Sequence, residues 1–416
     1  MKVAIVGAGW AGLACAVEAT RLGHAVTLFE AARTPGGRAR RIDGDRGLAL
    51  DNGQHILIGA YRATLALLRD VGVDPDAALL RLPLSLRFAD GGGLKLPRLP
   101  APLDLLAGIA TARGWTLRDK LSLLRVALRW RLTGFRCASA DSVAILCAGL
   151  TPRVMQELVE PLCVSALNTP VERSSGTVFL RVLHDALFSG SGGADLLLPR
   201  VDLGALFPDA AMAWLAQRGA DLRVGHRVRT IAPDAGCWQA DGEPFERVVL
   251  ACAPWDAARL VRTSGAAADA WCETTEALRF EAIATVYLRG ASPLAEPMLA
   301  LRSDANAPAQ FVFDRGQLGG PAGLLALVVS ANEAPRDALE RQSLAQAAAQ
   351  LDQAGLDVVQ TVVEKRATFA CTPSLVRPAM TIAPGLLACG DYIDGPYPAT
   401  LEGAVLSGLA AGEALA

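Results

Sequence analysis

The chain has 416 residues, 52% of them hydrophobic and 20% charged, and a formal net charge of -2. That balance excludes a disordered chain and gives no general case for nucleic-acid binding, while the length favours two closely packed domains over one small core. A mean hydropathy of +0.31, raised by alanine, leaves room for an oily cavity or a membrane-facing patch. Nine cysteines, at 15, 137, 147, 163, 237, 252, 272, 371 and 389, show no Cys-x-x-Cys or other metal-like spacing. Most stand in apolar runs, the pattern of reduced core thiols in a cytosolic protein, and no metal site is expected.

Residues 2–6, Lys-Val-Ala-Ile-Val, read as a buried strand, and with core structure from Lys2 no signal peptide is expected ahead of it. Gly7-Ala8-Gly9-Trp10-Ala11-Gly12 follows and opens an alanine-rich helical pattern to Leu22. Gly23 stops that helix, and residues 24–29 read as a second strand ending on Glu30. Strand, glycine turn, helix and strand, with an acid about twenty residues past the turn, make a dinucleotide-binding unit. Gly7 permits the tight turn, Gly9 lets the backbone approach a pyrophosphate, and Gly12 lets helix and strand pack closely. The helix N-terminus offers N–H groups and positive dipole to the phosphates, and Glu30 can accept hydrogen bonds from a ribose diol. Gly36-Gly37-Arg38 adds open backbone N–H groups and a guanidinium beside those phosphates.

Asp51, Asn52, Gln54 and His55 set four hydrogen-bonding side chains around Gly53, between apolar residues, and a helix is expected from Tyr61-Arg62 to Asp70. Buried polar groups need partners, so these side chains serve a ligand or hold a local turn. Residues 99–110 are apolar and punctuated by proline. Residues 116–132 read as a helix with Leu117, Leu121, Leu124, Leu128 and Leu132 on one stripe and Arg118, Arg125 and Arg129 on another face. Such a segment, 99–132, suits a peripheral contact with an anionic membrane, or a helix packed on its own protein, the commoner arrangement. No apolar run has the length of a spanning helix. Further helices, one capped by Asp141, one from Thr151-Pro152 to Val159 and a pair within 161–182, read as a lid over a substrate cavity.

Beyond residue 200 the pattern returns to that of the opening unit. A helix to Gly219 precedes residues 221–231, read as one strand with its continuation, and residues 245–254 form a buried strand. Strand-like runs at 284–288, 311–313 and 324–330 indicate an antiparallel sheet under the lid, followed by a helix over 335–354. Residues 385–389 are a buried strand ending in Gly390-Asp391, and a small-residue helix starts near Ala399-Thr400-Leu401-Glu402-Gly403-Ala404. A carboxylate at the end of that strand suits a ribityl or ribose hydroxyl, and the helix N-terminus suits the negative edge of a flavin. Two distant stretches thus converge on one cofactor.

Together these segments resemble the flavin-containing amine oxidase and carotenoid desaturase superfamily over essentially the whole chain. The resemblance implies an α/β fold: a Rossmann-like FAD-binding domain of the GR2 type, an interleaved α+β substrate domain and a helical cap. The expected limits are 1–78, 200–262 and 376–416 for the FAD-binding domain, and 79–199 with 263–375 for the substrate and cap domain. It implies FAD held by Gly7, Gly9, Gly12, Glu30, Gly37, Arg38, Val228, Gly390 and Asp391, with Leu401, Glu402 and Ala404 around the flavin. Within the superfamily, residues 51–61 look like the squalene-associated branch, the hydroxysqualene dehydroxylases of hopanoid precursor synthesis. That branch implies an isoprenoid hydrocarbon or alcohol as substrate, reduced by hydride, with Asp51, Gln54 and His55 as candidate catalytic residues and His55 and Asp51 as the proton-delivering pair. A cytoplasmic protein, peripheral on the inner face of the membrane, is expected; no motif names the electron donor. The alternatives are a carotenoid-type desaturase, an amine or protoporphyrinogen oxidase, and a lipid carrier with FAD as a prop.

Overall fold

Five parallel strands form the sheet that carries the opening unit in this computed structural model, which describes residues 1–44, 48–100, 102–188, 190, 192–332 and 334–416. Ala101, inside the apolar 99–110 run, lies outside the described residues. The strands lie in the order Asp221–Val224, Ala25–Glu30, Lys2–Val6, Arg247–Leu250 and Leu386–Ala388, with Thr381–Ala383 added antiparallel at one edge. Val3, Ala4 and Ile5 are fully buried, because a parallel strand at the centre of a sheet is covered on both faces. The helix Trp10–Arg21 follows the first strand, and Leu401–Glu413 packs along it. A Cβ at Gly408 would stand 2.2 Å from the Ala11 carbonyl oxygen, so glycine sets how closely these two helices approach.

A second sheet is wholly antiparallel, in the order Met298–Ala300, Phe311–Asp314, Leu324–Ser330, Phe280–Arg289 and Asp357–Phe369. Three of its strands match the expected runs. Asp357–Phe369, thirteen residues long, was not among them, although its Val-Val-Gln-Thr-Val-Val start carries strand propensity. The expected strand over 221–231 is broken: Gly225 turns at φ +77°, and Ile231–Asp234 joins a separate three-stranded sheet.

Helices cover one side of the second sheet. Leu103–Thr111 and Leu117–Leu132 are joined by a turn, and Thr116 and Asp119 close a reciprocal cap at the start of the longer helix. Ser142, not Asp141, caps Val143–Leu146, since its hydroxyl accepts the Ile145 N–H. Asp141 instead accepts the Ala138 N–H. The helix from Pro152 does not stop at Val159 but passes through a π-helical stretch, Met155–Val159, into Glu160–Leu167. Asn168 ends it in the left-handed region, and Gly176–Phe188 completes the lid. All nine cysteines are free thiols.

Candidate functional site

A cavity of about 720 Å³ runs between the parallel sheet, the antiparallel sheet and the lid helices. Gly7, Gly9, Glu30, Gly37, Arg38, Val228, Gly390, Asp391, Leu401 and Ala404 line it, together with Gln54 and His55. Residues separated by nearly the whole sequence therefore meet on one surface. Gly12 lies behind it; a Cβ there would stand 1.9 Å from the Gly7 carbonyl oxygen, so the glycine is needed for the helix to leave the strand. At Gly9 a Cβ would meet only the Gly37 Cα, at 3.8 Å, and the 36–37 loop is pinned to the turn by the Gly36 N–H donating to Ala8.

The charged groups at this end are arranged around those turns. Glu30 accepts the N–H groups of Ala8 and Ala32, both at 2.7 Å, which fixes its carboxylate at the carboxyl end of its strand. Arg38 donates to the Ala367 carbonyl and pairs with Asp391, so the two expected charges form one bridge across the cavity wall.

A dinucleotide fits these residues on two further observations. The helix Trp10–Arg21 begins at Gly9 with no side-chain cap, leaving its first N–H groups to whatever fills the turn. The buried Tyr392 hydroxyl, on the cavity wall, has no hydrogen-bond partner among the described residues.

Two of the expected site residues, Glu402 and Asp51, point elsewhere, and a third, Gln54, is held by its neighbours. Glu402 is buried, and its carboxylate accepts from the Ala63 N–H (2.9 Å), the Thr64 N–H (2.9 Å) and the Thr64 hydroxyl (2.6 Å). It caps the helix Arg62–Asp70 and does not line the cavity, a correction to its expected place around the flavin. Asp51 is also off the cavity: it accepts the Leu203 N–H at 2.8 Å and faces the buried Arg315 at 3.6 Å. Burial raises its carboxyl to about 6, partly offset by that N–H and by Arg315. Its carboxylate thus ties Leu203 and Arg315 together beneath the site. Gln54 does line the cavity, yet both ends of its amide are engaged, one donating to the Tyr287 hydroxyl and the other accepting from Arg315.

His55 remains at the cavity wall. Its Nδ1 lies 3.2 Å from the Gly53 carbonyl, which can only accept, so the ring proton sits on Nδ1 and Nε2 is left as an acceptor. Burial lowers the imidazole to about 4 against a weaker upward pull from Gly53. With the ring neutral, Nε2 offers a hydrogen-bond acceptor at the cavity wall.

Much of the remaining wall is apolar, with Leu86, Leu162, Phe179, Leu187, Phe311 and Phe313 among its side chains. An adjoining small pocket shares Ile58, Tyr61, Ala166, Val182 and Thr400 with it and adds Asp185 and Tyr397. There the Tyr397 hydroxyl bonds Asp185 at 2.7 Å, and Asp185 meets the half-exposed His184 at 2.8 Å. Burial, followed by the Asp185 carboxylate, pushes Tyr397 up to about 12. Sequence reading missed this cluster, and nothing local could have found it, since Asp185 and Tyr397 are 212 residues apart. It also missed Glu364 and Thr368, which line the cavity from the unexpected strand; Asn52 reaches Glu364 at 3.3 Å, and Asn168 reaches Thr368 at 3.0 Å.

Residues 10–416 match the family described as flavin containing amine oxidoreductase. A hydroxysqualene dehydroxylase from Rhodopseudomonas palustris is 30% identical over 432 aligned positions, covering 98% of this chain and 96% of the relative. A zeta-carotene desaturase from Synechocystis is 42% identical, but over 80 residues only, 19% of this chain and 16% of that protein. Among solved structures, an oxidoreductase from Methanosarcina mazei superposes with a TM-score of 0.75 at 18% identity, over 99% of this chain and 100% of the other, a likeness of fold.

Proposed function

The chain belongs to the flavin containing amine oxidoreductase family and is an FAD-dependent oxidoreductase, and from that premise we propose that it converts hydroxysqualene to squalene by reductive loss of the hydroxyl, a step toward hopanoid precursors. One observation carries the proposal: a single cavity is lined both by the dinucleotide cradle and by a set of hydrocarbon side chains large enough to enclose an apolar substrate. Reduced FAD, when bound, supplies hydride, so that alcohol plus reduced cofactor become hydrocarbon, water and oxidised cofactor. Gly9, Glu30, Arg38 and Asp391 are the residues that would hold it.

The chain's own contribution is to orient the alcohol, to keep bulk water out and to bring one proton to the leaving oxygen. Nε2 of His55 accepts the substrate hydroxyl's hydrogen bond and so fixes the carbon that bears it. The apolar walls exclude the water that would otherwise capture an allylic cation. For the proton we assign the Tyr397 hydroxyl of the adjoining pocket, which donates to Asp185, with His184 at the surface able to reprotonate the pair. Arg315, Gln54 and Tyr287 hold the His55 loop from below.

A second reading, a carotenoid-type desaturase, draws on the local likeness to zeta-carotene desaturase and runs the same chamber in the oxidative direction. One anaerobic experiment separates them. The FAD-loaded protein is reduced and mixed with hydroxysqualene; return of the oxidised flavin spectrum with squalene as product supports the dehydroxylase. Bleaching of the oxidised protein by a polyene precursor, with no reoxidation by hydroxysqualene, refutes it. An unreactive flavin in both arms refutes both.

A further inference from the structure

The helix Leu117–Leu132 buries only one side of itself. Asp119, Leu123, Val126 and Trp130 face inward, and at about 100° per residue the stripe Leu117, Leu121, Leu124, Leu128 and Leu132 points the opposite way. Leu117 is 72% exposed and Leu132 79% exposed, values unusual for large apolar side chains. The neighbouring helix Leu103–Thr111 adds Leu103 and Leu106 to the same segment's exposed apolar residues, and Ile145 is 60% exposed. An amphipathic helix is normally turned with its leucines inward; here the apolar stripe is the outer surface.

Basic residues border the stripe on both sides. Arg118, Arg125 and Arg129 lie along one flank, Lys120 and Arg131 along the other. Residues 98–136 hold eight basic and two acidic side chains in a protein whose net charge is -2. Arg118, Arg125 and Arg131 pair with no carboxylate among the described residues, so no acidic side chain there offsets the charge of the flanks.

We propose that this face docks on an anionic lipid bilayer, with the leucine stripe among the acyl chains and the flanking arginines at the headgroups. The charge pattern chooses the occupant. A second copy meeting through the same face would set arginine against arginine, whereas acidic headgroups neutralise both flanks. The packing gives the contact a purpose: Ile109, Trp115 and Leu123, on the inward sides of the two helices and their turn, belong to one apolar cluster with Leu86, Phe311 and Phe313 of the chamber wall. The bilayer therefore lies one helix thickness from a cavity suited to a hydrocarbon. Docking does not depend on which hydrocarbon is bound, so the hydroxysqualene reading can fail while this one stands.

Flotation of the FAD-loaded protein with vesicles tests it and reads no turnover. Vesicles of phosphatidylcholine with roughly a third phosphatidylglycerol are expected to bind about tenfold more strongly than phosphatidylcholine alone, with binding weakened by salt. L121E/L128E, at exposed positions, is expected to abolish flotation while flavin absorbance and Tm stay unchanged; R118E/R125E is expected to remove the preference for the anionic lipid. Absence of flotation on anionic vesicles, equal flotation of wild type and L121E/L128E, or a dimer in solution that L121E/L128E dissociates would each overturn the proposal.

Discussion

Replacing Glu402 by alanine removes one carboxylate and strands three donors. The Ala63 and Thr64 N–H groups and the Thr64 hydroxyl all end on it, and both Thr64 and Glu402 are buried. Hydrogen bonds to a charged group are worth about 1.5–3 kcal/mol each, and an anion at a helix N-terminus adds about 0.5–1 kcal/mol. Three bonds sharing one acceptor are not additive, and water can enter the space that is left, so about 4 kcal/mol is the expected loss. Unfolding entropy of about 2.1 cal/mol/K per residue over 416 residues converts this to a fall in Tm of about 4–5 °C. Glu402→Gln keeps the volume but turns an NH2 group toward donors, so it should lose about half as much. Because the carboxylate holds the Arg62–Asp70 helix and not the cofactor, the loss should be equal in apoprotein and FAD-loaded protein, read by differential scanning calorimetry of each. An unchanged apoprotein Tm beside a weakened affinity for FAD would refute the reasoning and return Glu402 to the flavin.

Four further outcomes are expected. Asp51, raised to about 6 in the fold from 3.8, binds protons more readily folded than unfolded, so its contribution to stability falls as pH rises from about 4 to 6 and is constant above. The stability difference between wild type and Asp51→Asn, from urea unfolding, should shift by about 3 kcal/mol across that window, and a pH-independent difference would be contrary evidence. His55, lowered to about 4, stays neutral through pH 5–8, so kcat/KM for hydroxysqualene should show no His55 ionisation there. His55→Ala should weaken binding of the alcohol about tenfold and leave squalene affinity unaltered, measured by flavin fluorescence. Tyr397→Phe and Asp185→Asn should each lower kcat about 10²-fold at unchanged KM, and full single-turnover rates in both would exclude that proton path.

The parts of the site written in local sequence were legible in advance. Gly7, Gly9, Gly12 and Glu30 occupy fixed offsets around one turn, and Gly390-Asp391 ends a strand, so spacing alone was enough to place them at the cavity or, for Gly12, directly behind it. The leucine stripe was equally readable, but whether it faced protein or solvent was not, because a periodic pattern gives a face and never says what lies opposite. Direction was the hidden variable elsewhere too. Glu402 stands between Leu401 and Ala404-side residues that line the cavity, yet helical rotation carries its carboxylate to Thr64, 338 residues away. Asp51 shares its stretch with His55, yet it ends the strand Ala49–Asp51 and the chain bends at 52–53, so its carboxylate meets Leu203, 152 residues away. Asp185 was invisible for the same reason: its partner is a matter of tertiary packing.

The close seating of Leu401–Glu413 on Trp10–Arg21 has a bearing on synthesis. The glycine turn leaves the ribosome early, but the strand beside Arg247–Leu250 and the helix that covers the turn are translated after everything else the nucleotide needs. The cradle around the turn is therefore complete only when residues 386–413 have joined residues 2–30, so the two ends of the fold and the cofactor's seat form as one event.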